Sequence, residues 1–199
     1  MFILTADLAG TVIFAVTGAV SGVRQKLDML GVVVFSCTVG VGGGILRDTI
    51  IGATPVAALQ NEIYLISCII TGLVIFFISP LIADHRKIIQ ICDAFGLGVF
   101  TALGAAKGYH YGLGPTGMVL SGVLSAVGGG ILRDMMSRKI PAVLVNDFYA
   151  TASLIGGVVY VMLPKSNLTY FQIFIFVAAL VSAIRLAAIY FKLQLPKAG

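Results

Sequence analysis

The stretch VGGGILRD stands twice in this chain, at residues 41–48 and again at residues 127–134. Each copy ends a long apolar run. In a helix interior each glycine is disfavoured by about 1 kcal/mol relative to alanine. An Arg-Asp pair is costly against lipid and marks a functional position wherever it lies inside a span. The same breaker and the same charges at two points of one apolar sequence point to an internal duplication.

Working outward from the two copies, a shift of 86 residues aligns the chain on itself without a gap. Asp7 meets Asp93, Gly10 meets Gly96, Phe14 meets Phe100, and Gly18-Ala19 meets Gly104-Ala105. Gly22 meets Gly108, Gly31 meets Gly117 and, beyond the identical octapeptide, Pro55 meets Pro141. Chance matches of Gly and Val would not hold one register, nor reproduce Arg-Asp and Pro.

The bulk composition sets the medium. Of 199 residues, 59% are hydrophobic and only 11% charged, and the mean hydropathy is +1.06. Soluble domains carry about 25% charged residues, so this is an integral membrane protein. Residues 63–83, 111–132, 29–46 and 166–184 contain no Asp, Glu, Lys or Arg. A membrane span needs roughly 20 such residues. Three further runs qualify: 3–23 with Asp7, 88–106 with Asp93, and the shorter 148–164. The fold class is therefore all-α, with seven transmembrane helices. The segments lack the period-2 alternation of barrel strands.

Each unit carries three spans. An odd number starts the second unit on the opposite side of the membrane, so the two are inverted, an architecture of transporters and channels. The expected division is 1–86 and 87–167 for the two repeats and 168–199 for a seventh helix and tail. That helix has no partner in the repeat and is expected at the periphery.

Gly42, Gly43 and Gly44 are expected to unwind or kink the second span, and Gly128, Gly129 and Gly130 the fifth. Broken backbone at membrane depth is tolerated only against protein or a water-filled cavity, which suggests a polar path between the two helices. Arg47, Asp48, Arg133 and Asp134 follow the breaks. Adjacent side chains on a helix do not face each other, so Arg47 is expected to meet Asp134 or Asp93. Asp7 and Asp93, near the starts of the first and fourth spans, suit helix N-termini or act as anionic attractors at pore mouths.

Other chemistry is not signalled. The three cysteines lie singly in apolar segments, and His85 and His110 show no metal-ligand spacing. GLGPTG at 112–117 follows no strand and contains proline, against a dinucleotide site. The net charge of +5 sits in short loops, not in a patch suited to nucleic acid. No nucleophile–base arrangement or P-loop occurs, so neither an enzyme nor an ATP-driven pump is expected, and no cofactor. The N-terminus lacks the basic region and cleavage pattern of a signal peptide. Arg24, Lys26, Arg86, Lys87, Arg138, Lys139, Lys192 and Lys197 fall on the C-terminal face, against Lys107, Lys165 and Arg47 on the other. Basic residues favour the cytoplasm, which places the protein in the cell membrane, N-terminus outside and C-terminus inside.

Two inverted three-helix repeats plus a seventh helix, with GGG-x-x-Arg-Asp in the second and fifth spans, resemble the prokaryotic trimeric intracellular cation (TRIC) channels. The resemblance covers about residues 5–191. It implies a homotrimer in lipid, with a pore for potassium and sodium in each protomer between the second and fifth helices. Gly42–Gly44 and Gly128–Gly130 would then be hinges, and Arg47, Asp48, Arg133 and Asp134 the signature charges. The Lys-Glu-Val signature of animal members is absent. Bacterial relatives are also described as glycine transporters, which makes a secondary amino-acid transporter the rival function.

Overall fold

The computed structural model describes residues 2–81, 84–145, 148–163 and 168–193. The sequence expectations for Lys165 and Lys197, and for the run ends at 82–83 and 164–167, lie outside the described residues. Among those described there are helices and turns but no strand. The helices are α1 (Phe2–Arg24), α2 (Met29–Ile50), α3 (Ala57–Gln60), α4 (Ile63–Ile78), α5 (His85–His110), α6 (Pro115–Met136), α7 (Ala142–Val145), α8 (Ala150–Met162) and α9 (Tyr170–Phe191). A 3₁₀ turn, Ser79–Leu81, extends α4. With that turn, six helices are long and apolar enough to cross a membrane, and α8 is a shorter apolar seventh.

Local chemistry sets the helix starts. Asp28 Oδ1 accepts the Gly31 amide at 2.7 Å and opens α2, satisfying one of the orphan donors of a helix N-terminus. The equivalent start of α6 uses Gly114 followed by Pro115, whose fixed φ suits the first helical position. Thr169 and Gln172 form a capping box at α9.

In lipid, helices associate chiefly through close packing of small residues, and the glycines show where. A Cβ added at Gly104 would lie 2.5 Å from the Ser121 carbonyl oxygen, and one at Gly18 would collide with that of Phe35. These are the same contact in the two repeats, α1 on α2 and α5 on α6. Likewise a Cβ at Gly72 of α4 would lie 3.0 Å from Val33 Cα, and one at Gly157 of α8 would lie 3.2 Å from Val119 Cα. Each unit thus packs its third span on its second in the same way.

The two units meet through reciprocal contacts. Gly10 faces the Phe100 ring and Gly96 the Phe14 ring. Phe14 and Phe100, both buried, stack with centroids 5.1 Å apart. Equivalent residues touching each other's partners in this way define a pseudo-twofold axis between α1, α2, α5 and α6. The direction is inverted. The starts of α1 and α4 lie with the ends of α2 and α5, since Tyr64 bonds Asp7 and Lys107 bonds Asp48. The start of α5 lies with the end of α6 at the opposite pole, where Asp93 meets Arg133.

The seventh helix packs on the outside of α5 and α8, with Phe171, Ile175, Phe176 and Tyr190 exposed along its outer face. Ile173, Val177 and Val181 of α9 are fully buried. Gly98 of α5 lets it approach so closely that an added Cβ would collide with the Ala178 carbonyl and Ser182 Oγ. The helix is held closely at the periphery because its Ala178 and Ser182 meet Gly98.

Candidate functional site

Both glycine triplets lie within continuous α-helix. The expected unwinding is absent, and the first two glycines of each triplet answer a packing demand that helical geometry satisfies. At the first position, Gly42 faces Leu132 and Gly128 faces Leu46, which are repeat equivalents. At the second, Gly43 lies against the Ser125 carbonyl and Gly129 against the Val39 carbonyl, again equivalents, so α2 and α6 touch backbone to backbone. At the third, a Cβ at Gly44 would meet only the Arg47 Nη2 at 3.8 Å, whereas one at Gly130 would meet the Tyr149 hydroxyl at 2.7 Å and the Arg133 Nη2 at 3.7 Å. This glycine leaves the helix face on which the guanidinium one turn later folds back.

A cluster of charge stands at each end of this seam. At the first, Arg47 is 2% exposed and donates through Nε to Asp48 Oδ1 at 2.8 Å and through Nη1 to Ser125 Oγ of α6 at 3.2 Å. Lys107 Nζ reaches the same Asp48 Oδ1 at 2.7 Å. The other oxygen of Asp48 accepts the Ala57 amide at the start of α3. Asp7 accepts from the Tyr64 hydroxyl at 3.0 Å. A cavity of about 10 Å³, lined by Asp7, Thr11, Arg47, Asp48, Tyr64 and Phe100 among others, lies between them. It has room for about one water.

At the second end Arg133 donates through Nη1 to Asp93 Oδ1 at 2.7 Å and through Nε to Asp134 Oδ1 at 3.0 Å. Its Nη1 also lies 3.3 Å from Thr17 Oγ1 of α1. Asp134 Oδ2 accepts the Ala142 amide at the start of α7, at 2.7 Å. Arg185 of α9 stacks over the Tyr149 ring, 4.8 Å from its centroid. The cavity here is about 210 Å³, and its lining includes Ser21, Arg24, Gln90, Asp93, Arg133 and Arg185.

The signature charges therefore do not pair as expected. Arg47 meets neither Asp134 nor Asp93 but its own neighbour Asp48, and Arg133 likewise meets Asp134. Adjacent residues point apart around a helix, yet a long Arg side chain at a helix end can curl back. The aspartate turns beyond the last turn to hold the following short helix. Each Arg-Asp pair thus ties the end of the second span of its unit to the short helix that precedes the third.

Sequence reasoning missed Lys107, Tyr64, Tyr149, Ser125 and Arg185 as members of these clusters. One signal existed. The short helices α3 and α7 lie 85 residues apart, as do Tyr64 and Tyr149, and Gly72 and Gly157. The second unit is one residue shorter in its loop, so the ungapped shift loses register there and hides the tyrosines.

Fold and site define a multi-pass membrane protein, built as an inverted three-helix repeat with a buried Arg-Asp cluster at each end of its central seam. A TRIC trimeric intracellular cation channel orthologue from Rhodobacter sphaeroides superposes with a TM-score of 0.92 at 31% identity, covering 96% of this chain and 99% of that one. A second prokaryotic TRIC channel gives 0.91 at 28% identity, covering 98% and 99%. The UPF0126 inner membrane protein YadS of Escherichia coli is 32% identical over 201 residues, 98% of this chain and 96% of YadS. A UPF0126 membrane protein of Deinococcus radiodurans is 38% identical over 169 residues, 83% of this chain and 78% of its own length. The family model described as Glycine transporter matches twice, over residues 4–80 and 90–165. The chain belongs to this family, and its fold is that of the prokaryotic TRIC channels.

Proposed function

We propose that the protein is a channel for monovalent cations, potassium and sodium, with one pore in each protomer of a homotrimer. The path follows the seam between α2 and α6 and joins the vestibule at Asp7, Arg47 and Asp48 to that at Asp93, Arg133 and Asp134. The observation that carries this is a pair of polar cavities at opposite ends of one glycine-lined interface. Between them the seam and the stacked Phe14 and Phe100 close the way, so conduction requires α2 and α6 to part. Gly42–Gly44 and Gly128–Gly130 serve as the hinges, and a bend there parts the close backbone contacts at Gly43 and Gly129. The trimeric TRIC orthologue supports both the cation pathway and the assembly. The two units correspond to 1–86 and 87–167, with 168–199 as the added helix and tail.

A second reading, a secondary transporter of glycine, is favoured by the description of the family model. A carboxylate beside arginines in the larger vestibule could take the two ends of a zwitterion. Purified protein in liposomes and planar bilayers separates the two. The channel reading expects unitary potassium currents and no saturable glycine uptake. Saturable uptake with electrically silent bilayers would replace it.

The orientation follows from the basic residues. Arg24, Arg86 and Lys139 line one vestibule, and we place that face in the cytoplasm. Lys139 is exposed, so Lys139→Cys is expected to resist an impermeant thiol reagent in intact cells and to react after permeabilisation. Labelling in intact cells would reverse the orientation.

A further inference from the structure

We propose that Arg47 is the gate of this path, and that it opens by moving its guanidinium from Ser125 to Asp7. The inference rests on the two-vestibule channel described above and adds the residue that controls it.

The two clusters are equivalent in sequence, Arg47 to Arg133 and Asp7 to Asp93, but not in bonding. Arg133 holds Asp93 at 2.7 Å. Among the described residues no ion pair joins Arg47 to Asp7. Asp7 takes the Tyr64 hydroxyl instead, and Arg47 reaches across the seam to Ser125. The vestibules differ in the same sense. Where the arginine holds the first-span carboxylate the cavity is about 210 Å³, and where it does not the cavity is about 10 Å³. Ser125 stands where the other unit has Val39, so only the Arg47 end has a seam acceptor, while the Arg133 end shows the arginine seated on the first-span carboxylate. The state shown is open at the Arg133 end and shut at the Arg47 end.

Charge and space both permit the move. Arg47 and Lys107 stand against Asp48 and Asp7, a balanced set in which Asp7 carries the charge that Asp48 cannot offset alone. Asp48 Oδ1 already receives Lys107 at 2.7 Å, so it keeps a cation when Arg47 turns away. Arg47 and Asp7 line the same cavity. Gly44 leaves the intervening helix face clear, since the only atom within 4 Å of a Cβ there is the Arg47 Nη2.

The consequence for a cation is direct. On Ser125 the guanidinium bridges α2 and α6 beside the Gly43 contact, holding the seam shut with a positive charge. On Asp7 that charge is neutralised and the bridge is released.

The test uses the full-length protein in liposomes, on a background with Cys37, Cys68 and Cys92 replaced by alanine. Thr11→Cys, on the wall of the smaller cavity, is labelled by a small cationic thiol reagent, and potassium currents are recorded in parallel. Removing the charged acceptor by Asp7→Asn is expected to slow labelling and lower open probability about tenfold, the scale of one charge-assisted hydrogen bond. Asp7→Glu should restore most of both. Ser125→Ala should raise both severalfold. In an Arg47→Gln background, Asp7→Asn should have no further effect. Equal labelling rates in Asp7→Asn and its parent, or an undiminished Asp7 effect without Arg47, would overturn the gate. Absence of current in the parent would overturn the channel reading alone, because labelling still reports whether Arg47 controls the vestibule.

Discussion

Gly43→Ala is expected to destabilise the protein strongly, while Gly44→Ala, one residue on, leaves it as stable as its parent or slightly more so. The two substitutions are identical in chemistry and in helix propensity. They differ in what the new methyl meets. At Gly43 it would collide with the Ser125 carbonyl oxygen and lie 3.2 Å from the Gly129 amide nitrogen. Backbone cannot rotate aside as a side chain can, so α2 must move off α6 and the contacts around Phe14 and Phe100 are lost with it. Overpacking of this kind costs about 1–3 kcal/mol, and occasionally more. At Gly44 the methyl meets only the Arg47 guanidinium at 3.8 Å, an ordinary contact, and alanine favours the helix by up to about 1 kcal/mol. Thermal unfolding of the purified assembly in detergent compares them. If both are equally mild, the seam does not rest on Gly43. If both are equally damaging, the triplet acts through backbone freedom and not close approach. Gly44→Ala then serves the conduction question: a stable protein with reduced potassium flux would locate the bend at the third glycine.

This contrast also explains what could be read before any coordinates. Membrane residence, the span positions and the duplication were legible because each depends on many residues at once, apolar runs of span length and a single 86-residue shift held from Asp7 to Pro55. The glycine triplets were visible as exceptional, but their consequence was not. Propensity alone predicts a broken helix, whereas the facing helix supplies a backbone that only glycine can meet. Tertiary contact overrode the local preference: the inversion implied that 41–48 and 127–134 face each other across a polar path, but not that their backbones touch.

The charges were legible as a set and not as pairs. Asp93 was a candidate for Arg47 and proved to be the partner of Arg133, because the inverted arrangement brings the start of α5 to the end of α6. The second function of Asp48 and Asp134, accepting the amides of Ala57 and Ala142, depends on the chain reversing after the helix. Spacing does not disclose that. Lys107 was read only as a loop charge. Arg185 was passed over because α9 has no repeat mate to draw attention to it. A duplication identifies what is shared between units, and so conceals the residues that make them differ.

Those differences set the second large effect. Asp93→Asn is expected to lower stability far more than Asp7→Asn, although the two carboxylates are equivalent in the repeat. Asp93 is 5% exposed and receives Arg133, itself 4% exposed, at 2.7 Å. Removing one partner of a buried pair costs about 3–5 kcal/mol, and here, among the described residues, it leaves Arg133 with the Asp134 ion pair alone. Asp134 cannot make up the loss, since one of its oxygens already serves Arg133 and the other the Ala142 amide. Asp7 receives a neutral hydroxyl, and an asparagine oxygen accepts that bond as well. Removing the whole charge set with Asp93→Asn, Arg133→Met and Asp134→Asn together should recover much of the loss, because buried ionic groups exchanged for uncharged groups of similar size are often nearly neutral. Melting temperatures of the four proteins, at low and high salt, check the order. The Asp93 effect should persist in salt, since buried pairs are little screened. Equal losses at Asp7 and Asp93 would mean that Arg47 rests on Asp7 in the membrane, and that the two halves of the molecule are in the same state.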